Sequence, residues 1–368
     1  MTRKYDYLLQ ILKYFSFCLI CVASSRLILL LIGYVSQIQA NTPPDLVNLW
    51  YQWDANWYLS IVTDGYHLSN TYDDPDAGHT NVNFFPLFPT LAWLTSFMLP
   101  SKIAGLVVAN ISFFFGCAIL YALTKKRFGE DVARGSILSV CFFPGSFVFS
   151  TNMTESLFFL LSTLGFYYAW HQKLFAASIA GGLLSVTRPN GIFFAVALIV
   201  GWLTHRLFPG DHSSSYKNLF IILLIPIPLC LFMLFLLWNF NDAFAFVNSH
   251  LHFWSDLDHW PLLYLADVAQ AADIRRAVAS GLALFMMLAF LLQARRFTVA
   301  EVAMVIICIL SITSAISSVR FLLPLFQIHT GIGFLVAKKP WGLLIVAVLA
   351  ALNGLFMALW VRGDAIFV

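Results

Sequence analysis

Asp54 stands in the run Trp50-Tyr51-Gln52-Trp53-Asp54-Ala55-Asn56-Trp57-Tyr58. Trp50, Trp53, Trp57 and Ile61 recur at helical spacing, which lays one face of a short helix into a membrane interface. The tryptophans alone fit an aromatic belt. The carboxylate does not, because a charged group at the edge of lipid is costly unless it serves a purpose. Partial desolvation suits such a group to accept a proton, so Asp54 is a candidate general base.

Three further charges stand at the starts of apolar segments. Glu155 lies in Thr151-Asn152-Met153-Thr154-Glu155-Ser156-Leu157-Phe158. There the helix dipole favours a carboxylate, and an inward-facing polar contact is the alternative. Arg188 opens Arg188-Pro189-Asn190-Gly191, and Arg320 follows Ser317-Ser318-Val319. Both side chains are long enough to snorkel to an interface. Both are also the cations a lipid-linked phosphate needs for charge-assisted hydrogen bonds. Between these sites, Asn83-Phe84-Phe85-Pro86-Leu87-Phe88-Pro89 carries two prolines that rule out a straight spanning helix at its entry.

Other patterns carry less. Asp73-Asp74-Pro75-Asp76 contains a D-x-D, but Asp/Pro runs are ordinary turns. His250, His252 and His259 match no compact metal-ligand spacing. Cys18 and Cys21 spell C-x-x-C inside an apolar run, where a thiol acts as a small hydrophobe. No metal site and no cofactor is expected. Arg26 lies within the first apolar run and calls for a buried partner, most simply a carboxylate.

The elements that must position these residues follow from composition. Of 368 residues, 60% are hydrophobic and 11% charged, and the mean hydropathy is +0.81. A soluble domain carries roughly 25% charged residues, so a water-facing surface is excluded. The net charge of +3 is too small and scattered for nucleic-acid binding. The chain reads as an all-α polytopic membrane protein of about eleven transmembrane helices. The expected spans are 14–38, 103–124, 136–151, 156–171, 174–188, 191–208, 219–238, 277–293, 300–317, 321–337 and 341–361. The first reads as an uncleaved span, since it exceeds a signal-peptide core.

With a cytoplasmic N-terminus, and with 84–99 lying in the interface instead of crossing, the Lys125-Lys126-Arg127, Arg295-Arg296 and Lys338-Lys339 clusters all face inward. Asp54, Glu155, Arg188 and Arg320 then share the outer face. Two long connections also lie there, residues 39–102 and 239–276, and their length exceeds what a helical bundle needs.

The pieces Trp53-Asp54 with Gly65-Tyr66, Phe84-Phe85-Pro86-Leu87-Phe88-Pro89, Glu155-Ser156-Leu157-Phe158, Arg188-Pro189-Asn190-Gly191 and Arg320-Phe321-Leu322-Leu323-Pro324 occur in an order that resembles the PIG-V family. That family is the GPI mannosyltransferase II group within the GT-C glycosyltransferases. The resemblance spans nearly the whole chain. It departs at Pro189, where the family often has serine, and at Phe321, where it often has tyrosine.

The resemblance implies a single GT-C domain over 1–368, with juxtamembrane helices in the first outer loop. It implies inverting transfer of a sugar, most simply mannose, from a polyprenyl-phosphate donor to a lipid or glycan acceptor. Asp54 would be the base, and Arg320 and Arg188 would hold the donor phosphate. Trp53, Trp57, Asn83, Phe85, Glu155, Asn190 and His250 form the candidate substrate-binding set. The implied site is an integral-membrane one on the periplasmic or lumenal face, among membrane lipids, with no protein partner indicated. A transporter or lipid flippase is the competing class. It predicts paired charges along a path and an internal repeat, and neither is evident beyond Arg26.

Overall fold

The computed structural model describes residues 2–68, 80–205, 215–253, 274–312, 317–337 and 340–363, and all its regular structure is helical. The first helices are α1 (Thr2–Gln39), α2 (Asp54–Asp64), α3 (Leu87–Ser96), α4 (Ser101–Phe128), α5 (Glu130–Phe142) and α6 (Glu155–Trp170). Next come α7 (Leu174–Ser185), α8 (Phe193–Leu203), α9 (Tyr216–Ile222), α10 (Ile227–Phe240) and α11 (Ala245–Phe253). The last are α12 (Ile274–Leu291), α13 (Val299–Leu310), α14 (Ser318–Leu322), α15 (Phe326–Val336) and α16 (Gly342–Val361).

Within the described residues the expected spans fall on one helix or on a pair separated by a break, except 136–151. There α5 ends at Phe142, because Pro144 stops the helix and the chain continues as a buried break holding a short 3-10 turn, Ser146–Ser150. Among the described residues four stretches are long and apolar enough to cross a bilayer unaided: Leu12–Gln39, Ser101–Phe128, Tyr216–Phe240 and Gly342–Val361. Several others are cut short by prolines, as at Pro144, Pro189 and Pro324. A proline has no N–H to give the helix ladder, and it disfavours helical backbone in the residue before it. Large apolar side chains such as Leu231, Phe235 and Trp238 of α10 remain exposed, as lipid contact requires. The chain is a multi-pass integral membrane protein with the expected all-α fold.

The ten residues of α3 rise only about 15 Å, half the thickness of a hydrocarbon core. Segment 84–99 therefore does not cross, and α3 lies against α2 and α4. The ends of α4 mark the two ends of the bundle, about 38 Å apart between Lys102 and Arg127. Near the first, Lys102 Nζ donates to Asn48 Oδ1 at 2.6 Å. At the second, Arg127 forms a buried two-pronged ion pair with Glu301. Glu301 also completes a capping box with Thr298 at the start of α13.

Candidate active site

Asp54 is the first residue of α2, where its charge meets the positive end of the helix dipole. The preceding Trp53 has φ +52° and ψ −124°. A bulky side chain holds such a backbone at a cost of about 1–3 kcal/mol, and strain of that kind collects at functional sites. The turn it makes brings the first turn of α2 up to the stretch just before α6. Asn152 fastens the two together, donating through Nδ2 to the Ala55 carbonyl at 2.8 Å. Gly105 of α4 makes room for that amide, since a Cβ there would collide with Asn152 Oδ1.

Glu155 starts α6 after a long break in the α-helices, 143–154, that holds one short 3-10 turn (Ser146–Ser150) and is buried throughout. Irregular backbone at membrane depth is tolerated only when protein satisfies its polar groups. Here Arg26 does so. Its guanidinium donates to the Cys141 carbonyl at 3.1 Å, the Ser146 carbonyl at 2.7 Å, Ser150 Oγ at 3.2 Å and Ser25 Oγ at 3.3 Å, and also to Ser146 Oγ. It sits 4.7 Å from the Phe113 ring centroid. The expected carboxylate partner is thus replaced by neutral oxygens, because the helix break exposes carbonyls that need donors.

Arg188 follows α7 in extended backbone, and the next turn packs on that helix so closely that a Cβ on Gly191 would collide with the Leu184 carbonyl. Arg320 lies in the short α14. The break after it leaves the Leu323 carbonyl to His329 Nε2 at 2.8 Å. A carbonyl only accepts, so Nε2 carries the proton and Nδ1 accepts from Ser139 Oγ at 2.9 Å.

These elements bring four charges together. Arg320 donates through Nε to Glu155 Oε1 at 2.5 Å and through Nη2 to Asp54 Oδ2. Arg188 Nη1 donates to the same Glu155 Oε1 at 2.7 Å, and its guanidinium lies 4.9 Å from the Phe321 ring centroid. Glu155 Oε2 is buried, with no hydrogen-bond partner among the described residues. The Asp54 side chain is 24% exposed, against 9% for Arg320, 7% for Arg188 and none for Glu155, so the cluster opens at Asp54.

The apolar motif joins the same site. Leu87 N–H donates to the Val186 carbonyl at 3.0 Å, tying the Phe84–Pro89 segment to the turn before Arg188. Tyr66 donates to the Phe84 carbonyl at 2.7 Å, and Asn81 Nδ2 donates to the Gly65 carbonyl at 3.0 Å. Residues 65–66 are thereby held against residues 81–84. Trp57 stacks on Phe84 with centroids 6.1 Å apart, while Trp53 is exposed.

The remaining candidates scatter. Asn83 and Asn190 each bury an Oδ1 that has no partner among the described residues. Phe85 is directed away, into a second apolar cluster where it packs on Phe232 at 5.5 Å and Phe246 at 5.3 Å. His250 is exposed on α11. Asp73, Asp74, Asp76 and His259 lie outside the described residues, as does the His252 side chain. Among the described residues no three His, Cys, Asp or Glu gather as metal ligands.

Tyr58 is a site residue that the motif reading passed over. It lies one turn after Asp54, buried edge-on against Phe84 at 5.0 Å and Phe88 at 5.5 Å. Burial holds its phenol well above the ordinary value, Arg188 drawing it down and Glu155 and Asp54 pushing it up, so it stays protonated. Its position four residues from Asp54 was the available signal.

No family model matches the chain. GPI mannosyltransferase 2 of Schizosaccharomyces pombe is 26% identical over 152 residues, 40% of this chain and 31% of that protein. The match thus takes in under a third of the relative's length. Two solved structures extend over nearly the whole chain at 12% identity. The Cupriavidus metallidurans ArnT bound to undecaprenyl phosphate has a TM-score of 0.54, covering 94% of this chain and 76% of that one. The apo oligosaccharyltransferase of Archaeoglobus fulgidus has a TM-score of 0.55, covering 95% of this chain and 56% of that one. Both are GT-C glycosyltransferases, and this chain has their fold. The resemblance read from the motifs agrees with both kinds of comparison.

Proposed function

We propose that the chain is an inverting GT-C glycosyltransferase that moves a sugar, most simply mannose, from a polyprenyl-phosphate donor to a hydroxyl of a lipid or glycan acceptor. The observation that carries this reading is the Asp54–Arg320–Glu155–Arg188 cluster, assembled from four motif pieces that lie far apart in sequence. The curated relative supports a mannosyl donor, and the ArnT structure, which holds undecaprenyl phosphate, supports a polyprenyl one.

Chemically the cluster holds what such a transfer needs. Asp54, the exposed member, accepts the proton of the attacking hydroxyl, which bonds to the anomeric carbon from the side opposite the phosphate. Arg320 and Arg188 balance the charge that collects on the departing phosphate. General-base help is worth about 10²–10⁴ in rate, so charge stabilisation by fixed donors supplies much of the remainder. Trp57 and the exposed Trp53 offer aromatic faces to the sugar, and the buried Oδ1 atoms of Asn83 and Asn190 offer acceptors to its hydroxyls.

The orientation follows from charge. Lys125, Lys126, Arg127, Arg134, Lys173, Arg295 and Arg296 belong to the end of the bundle opposite the cluster. The positive-inside rule makes that end cytoplasmic and puts the cluster on the periplasmic or lumenal face, with the N-terminus inside. Residues 1–368 form one domain whose first outer loop, 39–102, holds the juxtamembrane helices α2 and α3, with 239–276 as the second outer loop.

The test is direct. Purified protein in detergent is incubated with labelled polyprenyl-phosphate mannose and a lipid extract of its host. Mannose transfer to an extractable product is expected. Absence of transfer from every polyprenyl-phosphate sugar tried, by protein of verified fold, would overturn the reading.

A further inference from the structure

Arg320 is shared between two carboxylates of unequal freedom. Glu155 is fully buried and takes both arginines on Oε1, so its hold on Arg320 Nε is fixed. Asp54 is the open member, and it occupies Arg320 Nη2. A phosphate that reaches the cluster from the exposed side therefore meets Arg320 at the edge already engaged by the candidate base.

We infer that Asp54 and the donor phosphate compete for Arg320, and that the arginine passes its charge from one to the other as the sugar is transferred. The inference rests on the polyprenyl-phosphate reading above. Two carboxylates and two guanidinium groups make the cluster neutral, so a phosphodiester donor adds one negative charge. In the transfer, the acceptor O–H proton goes to Asp54 and the acceptor oxygen bonds to the anomeric carbon. The carbon–oxygen bond to phosphate breaks, with its electron pair remaining on the phosphate.

Asp54 loses one negative charge as the phosphate gains one. The charge of cluster and donor together does not change, and Arg320 stands between the group that loses charge and the group that gains it. In a site walled by protein and lipid, separated charge is far more costly than in water. A guanidinium already in contact with the base avoids that separation. Glu155 is the positioning residue here, since it keeps Arg320 in place when the phosphate leaves.

Competition has a signature that a purely structural Asp54–Arg320 bond lacks. The probe is undecaprenyl monophosphate without sugar, titrated into full-length protein in nanodiscs, with tryptophan fluorescence as readout and transfer measured in parallel. Asp54→Asn removes the competing charge, so it should bind the probe about tenfold more tightly than wild type while transferring little sugar. Asp54→Ser should do the same if the Asn variant folds poorly. Arg320→Ala should bind weakly, and Asp54→Asn in that background should bring no gain. Equal or weaker binding by both Asp54 variants would overturn the inference, as would a gain that persists without Arg320. Wild type that neither binds the probe nor transfers sugar would instead overturn the functional reading itself.

Discussion

Asn152 donates through Nδ2 to the backbone carbonyl of Ala55 at 2.8 Å, so the residue after Asp54 is tied to the loop that delivers Glu155. That bond depends on a missing atom, because any Cβ on Gly105 would occupy the place of Asn152 Oδ1. Gly105→Ala should therefore cost about 1–3 kcal/mol, the usual penalty for overpacking a tight contact. In an Asn152→Ala background the same substitution should cost much less, since its collision partner is gone. Melting midpoints of the four proteins in detergent measure the coupling. Purely additive effects would show that Gly105 serves something other than Asn152.

Arg26 should behave as a structural clamp. All its recorded acceptors are neutral oxygens around the break between α5 and α6. Arg26→Met would remove the charged donor from the Ser146 and Cys141 carbonyls, leaving Cys141 the Ser146 hydroxyl alone, at about 1.5–3 kcal/mol for each lost bond to a charged group. The expected result is a large fall in melting temperature. Arg26→Lys should recover only part, because a single ammonium cannot reproduce the planar fork. An unchanged melt with lost transfer would instead assign Arg26 to substrate.

Glu155 and Asp54 should part company in stability. Glu155→Gln removes the buried negative charge that both arginines share, and breaking a buried ion pair costs about 3–5 kcal/mol. Asp54 is partly exposed and Arg320 keeps Glu155, so Asp54→Asn should cost clearly less. Thermal unfolding of the two variants side by side measures this. A stable Glu155→Gln protein with weakened donor use would place Glu155 in contact with substrate.

Much of the architecture was legible in one sequence because the bilayer imposes it. Charge asymmetry and proline placement sufficed to keep segment 84–99 from crossing, and α3 is indeed too short to do so. The order of Asp54, Glu155, Arg188 and Arg320 along the chain also pointed to one end of the bundle. What joins them was not legible. Arg320 reaches Asp54 across 266 positions, and no local pattern encodes that pairing. The break at 143–154 was hidden for another reason. Buried irregular backbone is as apolar in side chains as a spanning helix, so hydropathy reads through it, and the role of Arg26 disappears with it. Phe85 was grouped with Phe84 and Phe88 by motif, yet the latter two are four apart and both meet Tyr58, while Phe85 packs on Phe232.

Asp54 carries the sharpest prediction. The carboxylate begins α2 behind a strained Trp53, is the open member of an otherwise sealed charge cluster, and is held by one arm of Arg320. Asp54→Asn preserves size and most hydrogen bonding but removes the base, so sugar transfer should fall by at least about 10², the low end of general-base contributions. Asp64 closes the same helix, is exposed, and accepts only a bond from the neighbouring Thr63 hydroxyl among its recorded contacts. Asp64→Asn should leave transfer within about twofold, as surface substitutions usually do. Transfer is scored per mole of detergent-stable protein, which separates a lost base from a lost fold. A structural Asp54 would give an Asn variant of low yield but normal activity per folded molecule. Activity within a few-fold of wild type would end its assignment as the base, and the charge transfer proposed for Arg320 would fall with it.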